Sequence, residues 1–125
     1  MEQEPTVLQR EDENRAALPR RLYIEPTSLC NLNCVMCFRK GWIDETTGHM
    51  PAATFASVLD SAAEIGSLEE IFFGGMGEPL FHPRIADMVR ACSGIAGTAL
   101  VTNGTLLSPQ AAEALVSAGV GTVWV

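Results

Sequence analysis

The chain has 125 residues, 47% hydrophobic and 18% charged, the make-up of one globular domain with a modest core rather than of a disordered or multidomain protein. No apolar run reaches the length of a membrane span, and the acidic start, Met1-Glu2-Gln3-Glu4-Pro5, lacks the basic and apolar stretches of a secretory signal, so the expected compartment is the cytoplasm. A net charge of −7, with a single lysine at Lys40, argues against a nucleic-acid surface, which needs clustered Lys and Arg.

Residues 1–19 hold five acids and two arginines without strand or helix periodicity, and read as a flexible acidic leader. The texture changes at Arg20. Leu22-Tyr23-Ile24-Glu25 has the content of a strand, and Pro26-Thr27-Ser28 ends it. Phe55, Val58, Leu59 and Ala62 recur at helical spacing, with Gly66 as the stop. Glu70-Ile71-Phe72-Phe73, closed by Gly74-Gly75, is too short for a helix and suits a strand buried on both faces. Ile85, Met88, Val89 and Cys92 form a second helical stripe, with Pro83 expected at the first helical position and Gly94 beyond the end. Thr98 to Thr102 reads as a third strand ended by Asn103-Gly104. Ser108 then caps a helix with Pro109 in its first turn, Ala111, Ala114, Leu115 and Ala118 on one face, and Gly119 at its end. Thr122-Val123-Trp124-Val125 starts a fourth strand.

This β-α alternation implies an α/β fold with parallel strands and right-handed crossovers. The fourth strand stops in mid-run and leaves an apolar edge that a finished protein would pair or protect, so the expectation is a chain truncated after that strand and unstable in isolation.

Three of the four cysteines, Cys30, Cys34 and Cys37, fall within eight residues directly after the first strand. In an intracellular chain this clustering points to a metal rather than to disulfides. An iron–sulfur cubane held by three thiolates keeps one iron open to a non-protein ligand. Zinc competes, with His49 or His82 completing a tetrahedral site, although zinc loops pair their ligands as two separated knuckles and neither histidine stands in such a pair. Cys92 belongs to the helical stripe and reads as core. His49 and His82 read as turn residues, and Trp42 and Trp124 as packing residues. Arg39, Lys40, Asp44 and Glu45, in the loop after the cysteines, read as solvated surface with the option of a substrate or partner contact. Glu25 sits on the first strand beside the site, either toward a barrel interior or at an exposed position.

At the end of the second strand stands Gly74-Gly75-Met76-Gly77-Glu78-Pro79. Alone it is an ordinary tight loop. In parallel α/β folds, however, ligands gather at strand carboxyl ends, where the cysteine loop, this glycine loop and Thr102-Asn103-Gly104 all lie.

A three-cysteine loop of this spacing after strand one, followed by Gly75-Met76-Gly77-Glu78-Pro79 after strand two, resembles the radical S-adenosylmethionine superfamily. The likeness runs from about Arg20 to Val125 and implies parallel β/α units forming the first part of a partial (β/α)6 TIM-like barrel. It also implies a 4Fe-4S cluster on Cys30, Cys34 and Cys37, with S-adenosylmethionine on the fourth iron. Met76, Gly77 and Glu78 would then meet the methionine amino group, and Thr102 its methionine or ribose part. Met36 would lie against the adenine, where relatives commonly carry an aromatic residue, with Phe38 as a partial substitute. The implied activity is reductive cleavage to a 5′-deoxyadenosyl radical that modifies or matures a peptide, protein or metal cofactor. The implied partner is a reducing electron donor such as ferredoxin or flavodoxin. More narrowly, Arg21 to Thr27, Phe38-Arg39-Lys40-Gly41-Trp42 and the Phe73–Pro79 loop are similar to SPASM-type maturases of tungsten-cofactor oxidoreductases. Two alternatives stay open: a non-catalytic metal-binding module, iron–sulfur or zinc, and an inactive fragment of the enzyme.

Overall fold

A computed structural model describes Thr6, Val7, residues 18–42 and residues 47–125. The expected leader lies outside the described residues apart from Thr6, Val7, Leu18 and Pro19, as do Asp44 and Glu45. The elements are β1 (Arg21–Ile24), α1 (Ala52–Ile65), β2 (Glu70–Phe73), α2 (Ile85–Ser93), β3 (Gly97–Val101), α3 (Pro109–Ala118) and β4 (Thr122–Trp124), with 3-10 turns at Phe38–Gly41 and Pro79–Phe81. The four strands form one sheet in the order β1-β2-β3-β4, each parallel to its neighbour, so every helix is a crossover.

Register aligns residues that share a face. Ile24, Phe73, Leu100 and Val123 pair in one row, and Leu22, Ile71 and Thr98 in another. These rows pack under the helices with Ile85, Met88, Val89, Cys92, Leu115 and Ala118. All four residues of the second stripe, Ile85, Met88, Val89 and Cys92, are buried. In α1 only Ala62 is fully buried, while Phe55, Val58 and Leu59 pack against the core in part. The other sheet face carries Tyr23, Phe72, Ala99 and Thr122, one residue out of phase. Phe72 rests on the Tyr23 ring with centroids 5.3 Å apart, and Tyr23 is exposed. The expectation that β2 is buried on both faces is corrected: Ile71 and Phe73 are buried on the helix-covered face, while Phe72, on the other face, is half-buried because the helices cover one side of the sheet.

Local chemistry sets the ends. The Ser108 hydroxyl accepts the Ala111 N–H at 3.1 Å, capping α3, and Gly119 closes it at φ 88°. Helix α2 begins later than Pro83 suggests. The ring of His82 accepts the Arg84 N–H at 3.0 Å through Nδ1, which holds Pro83-Arg84 in a turn, and Arg84 becomes the cap. The ladder of β1 ends at Ile24 rather than Glu25, because its partner strand turns away at Gly74 after the Ile24–Phe73 pair. Trp124, read from the sequence as a packing residue, lies on the open face and is exposed.

Candidate active site

The cysteine loop starts from a clasped base. Met50 N–H donates to the Pro26 carbonyl at 2.8 Å, Ser28 N–H to the Gly48 carbonyl at 3.1 Å, and Gly48 N–H to the Ser28 hydroxyl at 2.9 Å. Thr27, fully buried, accepts the Leu29 N–H at 3.0 Å and stands 2.8 Å from Nδ1 of His49. Residues 26–28 and 48–50 thus close the segment between them at the carboxyl end of β1, and the three cysteines project from there. Cys30, Cys34 and Cys37 are free thiols; Cys34 is exposed and the other two are partly covered. A tight turn follows, with the Cys37 N–H on the Cys34 carbonyl at 3.1 Å. The thiols do not converge: among the described residues no three His, Cys, Asp or Glu side chains are grouped as a metal site.

The glycine loop is pinned to the same segment. Glu78 N–H donates to the Leu29 carbonyl at 2.8 Å, one residue ahead of Cys30. A Cβ at Gly77 would collide with the carbonyl oxygens of Thr27 and Leu29, so this close backbone approach requires glycine. Met76 N–H donates to Oε1 of Glu25 at 2.6 Å. Glu25, just past β1, is exposed, while Met76 is 43% exposed.

Glu78 is 3% exposed, and its carboxylate is committed. Oε1 accepts the Thr102 hydroxyl at 2.5 Å and the Leu80 N–H at 3.1 Å, and Oε2 accepts the Asn103 N–H at 2.8 Å. Three donors satisfy a buried charge that would otherwise be costly. The side chain therefore ties the loop after β2 to the loop after β3, and the Glu78 backbone is engaged too, its N–H on Leu29 and its carbonyl accepting the Phe81 N–H at 2.9 Å. Thr102, also buried, gives its proton to Glu78 and accepts the Gly104 N–H at 3.1 Å.

The third loop reaches back to the first cysteine. Asn103 donates through Nδ2 to Oδ1 of Asn31 at 3.1 Å and to the Cys30 sulfur at 3.8 Å, while Leu32 N–H points at that sulfur from 3.4 Å. Asn31 in turn donates to the Thr105 hydroxyl at 2.8 Å. Donors of this kind hold a metal-bound sulfur and tune it. From sequence Asn103 ends the third strand at the edge where ligands gather; its contact with Cys30 is not visible there, and the available signal is an amide side chain at that strand end. Met36 and Phe38, the adenine candidates, are 82% and 77% exposed and unpacked.

Of the two histidines weighed for zinc, His82 has both ring nitrogens engaged, and His49 is held through Nδ1. Because Nδ1 of His82 accepts from Arg84, its proton sits on Nε2, which donates to the Met50 carbonyl at 3.2 Å. His49 belongs to the clasp and lies against His82, with ring centroids 5.0 Å apart. Cys92 is buried in the core, and desolvation pushes its thiol from 9.0 up to about 11. It takes no part in the site.

The Radical SAM superfamily profile matches residues 24–125, spanning all three loops. The chain belongs to the radical SAM superfamily. Over 105 residues it is 46% identical to the tungsten-containing aldehyde ferredoxin oxidoreductase cofactor-modifying protein of Pyrococcus furiosus, a match covering 82% of this chain and 29% of that protein. Over 104 residues it is 36% identical to the AdoMet-dependent heme synthase of Methanosarcina barkeri, again 82% of this chain and 29% of the relative. The chain thus spans under a third of these relatives' length. The crystal structure of BtrN in complex with AdoMet and 2-DOIA superposes with a TM-score of 0.76 at 22% identity, over 83% of this chain and 44% of BtrN. That likeness concerns the fold, and it is consistent with the first part of a partial TIM-like barrel. Among the described residues no helix is long and apolar enough to cross a membrane.

Proposed function

We propose that this chain is the cluster-binding part of a cytoplasmic radical SAM enzyme that modifies or matures a peptide, protein or metal cofactor. One observation carries the reading: three free thiols leave a clasped base at the end of β1, and that base is hydrogen-bonded to the glycine loop at the end of β2. Names of the relatives support it, one described as cofactor-modifying and another as AdoMet-dependent.

The donor chemistry suits the group the family implies: three free thiols stand in one loop, and they would have to draw together to hold it. Cys30, Cys34 and Cys37 would supply three thiolates of a 4Fe-4S cluster, a ligand count that leaves the fourth iron to a non-protein ligand. When bound, the cluster and S-adenosylmethionine supply reductive cleavage to a 5′-deoxyadenosyl radical, the electron coming from a donor such as ferredoxin or flavodoxin. The protein's part is positioning. Asn103 and the Leu32 N–H steady the Cys30 sulfur, the backbone of Met76, Gly77 and Glu78 lines the amino-group side, and Glu78 with Thr102 fixes the spacing between the β2 and β3 loops. Met36 is free to close on the adenine, where a polarizable thioether replaces an aromatic ring.

Anaerobic reconstitution tests this. The chain is expected to take up about four irons with matching sulfide. Cys30→Ala, Cys34→Ala and Cys37→Ala should each lose that cluster, and Cys92→Ala should keep it. Stoichiometric zinc with no iron uptake would contradict the reading.

A further inference from the structure

We propose that Glu25 is a positioning residue for the cofactor loop, setting affinity for S-adenosylmethionine by fixing the Gly75–Met76 peptide without holding the cluster. This inference rests on the function proposed above and deepens it. Between β2 and the Pro79 turn, the loop is anchored to the first strand and its extension at three points. Gly74 N–H donates to the Ile24 carbonyl at 3.0 Å, Met76 N–H to Oε1 of Glu25 at 2.6 Å, and Glu78 N–H to the Leu29 carbonyl at 2.8 Å. The outer anchors join backbone to backbone and survive any side-chain change. The middle one depends on one carboxylate.

Gly75 shows how closely the two segments are matched. It sits at φ 106°, and a Cβ built there would lie 2.5 Å from Cγ and Cδ of Glu25. The carboxyl group occupies the space that any side chain at position 75 would fill, and it does so to reach the next N–H. The Gly75–Met76 peptide is trans, so an N–H held on Glu25 sends the Gly75 carbonyl the opposite way. The carboxylate thereby fixes a backbone acceptor in the stretch expected to meet a cationic amino group. Its own negative charge also favours a ligand that carries an ammonium and a sulfonium. A hydrogen bond to a charged acceptor, lost from a pre-formed loop, corresponds to about tenfold or more in affinity.

The test compares the full chain with Glu25→Ala and Glu25→Gln after anaerobic reconstitution, reading iron content, S-adenosylmethionine dissociation constant, and Met76 amide exchange in the apoprotein. Glu25→Ala should keep its iron, weaken cofactor binding by about tenfold or more, and speed exchange at Met76. Glu25→Gln retains the acceptor oxygen and should restore slow exchange and most of the affinity. Unchanged cofactor binding in Glu25→Ala would overturn the proposal. So would loss of cluster and cofactor together, or failure of Glu25→Gln to restore slow exchange. A parent chain that takes up neither cluster nor cofactor would overturn the functional reading first, before any variant is compared.

Discussion

The Thr102 hydroxyl donates to the Glu78 carboxylate across 2.5 Å, with both residues buried, and this bond ties the end of β3 to the end of β2. The two loops assigned to the proposed cofactor site are thereby joined by a carboxylate that is almost wholly buried.

Glu78→Ala would strand the Thr102 hydroxyl and the Leu80 and Asn103 N–H groups, costing about 3 kcal/mol or more. Glu78→Gln keeps two oxygen-type contacts at most and should cost less. Urea unfolding of the three chains checks the order: parent most stable, then Gln, then Ala.

Two glycines separate strain from collision. Gly66 ends α1 at φ 68° with nothing near its missing Cβ, so Gly66→Ala should cost only about 1 kcal/mol of left-handed backbone strain. Gly77 faces the Thr27 and Leu29 carbonyls, which belong to the base of the cysteine loop and cannot withdraw alone. Gly77→Ala should destabilise more and should also impair cluster assembly, which Gly66→Ala leaves intact. Thermal unfolding and iron content together distinguish the two.

Most of the fold is legible in the sequence because each helix buries one stripe and each strand is closed by turn residues. The stripe of α2 appears in full, since that helix lies over the middle of the sheet, whereas α1 shows only Ala62 fully buried because it covers an edge. The three cysteines and the glycine loop are legible because they are contiguous. The contacts that assemble them are not. Glu25 meets Met76 from 51 positions away and Asn103 meets Asn31 from 72, and both contacts depend on the parallel register that brings strand ends together. A one-residue uncertainty in β1 is enough to hide the role of Glu25, since it decides whether that side chain belongs to the ladder or to the loop.

Cys92 provides a check on the division between site and core. Burial raises its thiol to about 11 from 9.0, so it stays protonated where exposed thiols react. Alkylation of the anaerobic apoprotein at pH 8 should modify three cysteines quickly and the fourth only on unfolding, as peptide mass spectrometry would show. The linked pH effect has a definite sign. The neutral thiol is favoured in the folded state, so its contribution is complete below pH 9.0 and is lost as pH rises toward about 11.

The central claim is that Cys30, Cys34 and Cys37 hold a cluster with one iron open to S-adenosylmethionine. Electron paramagnetic resonance of the reconstituted, reduced chain, recorded with and without S-adenosylmethionine, tests it most directly. A reduced 4Fe-4S signal that changes when S-adenosylmethionine is added is the expected result. A cluster signal indifferent to it, or no cluster at all, would contradict the account.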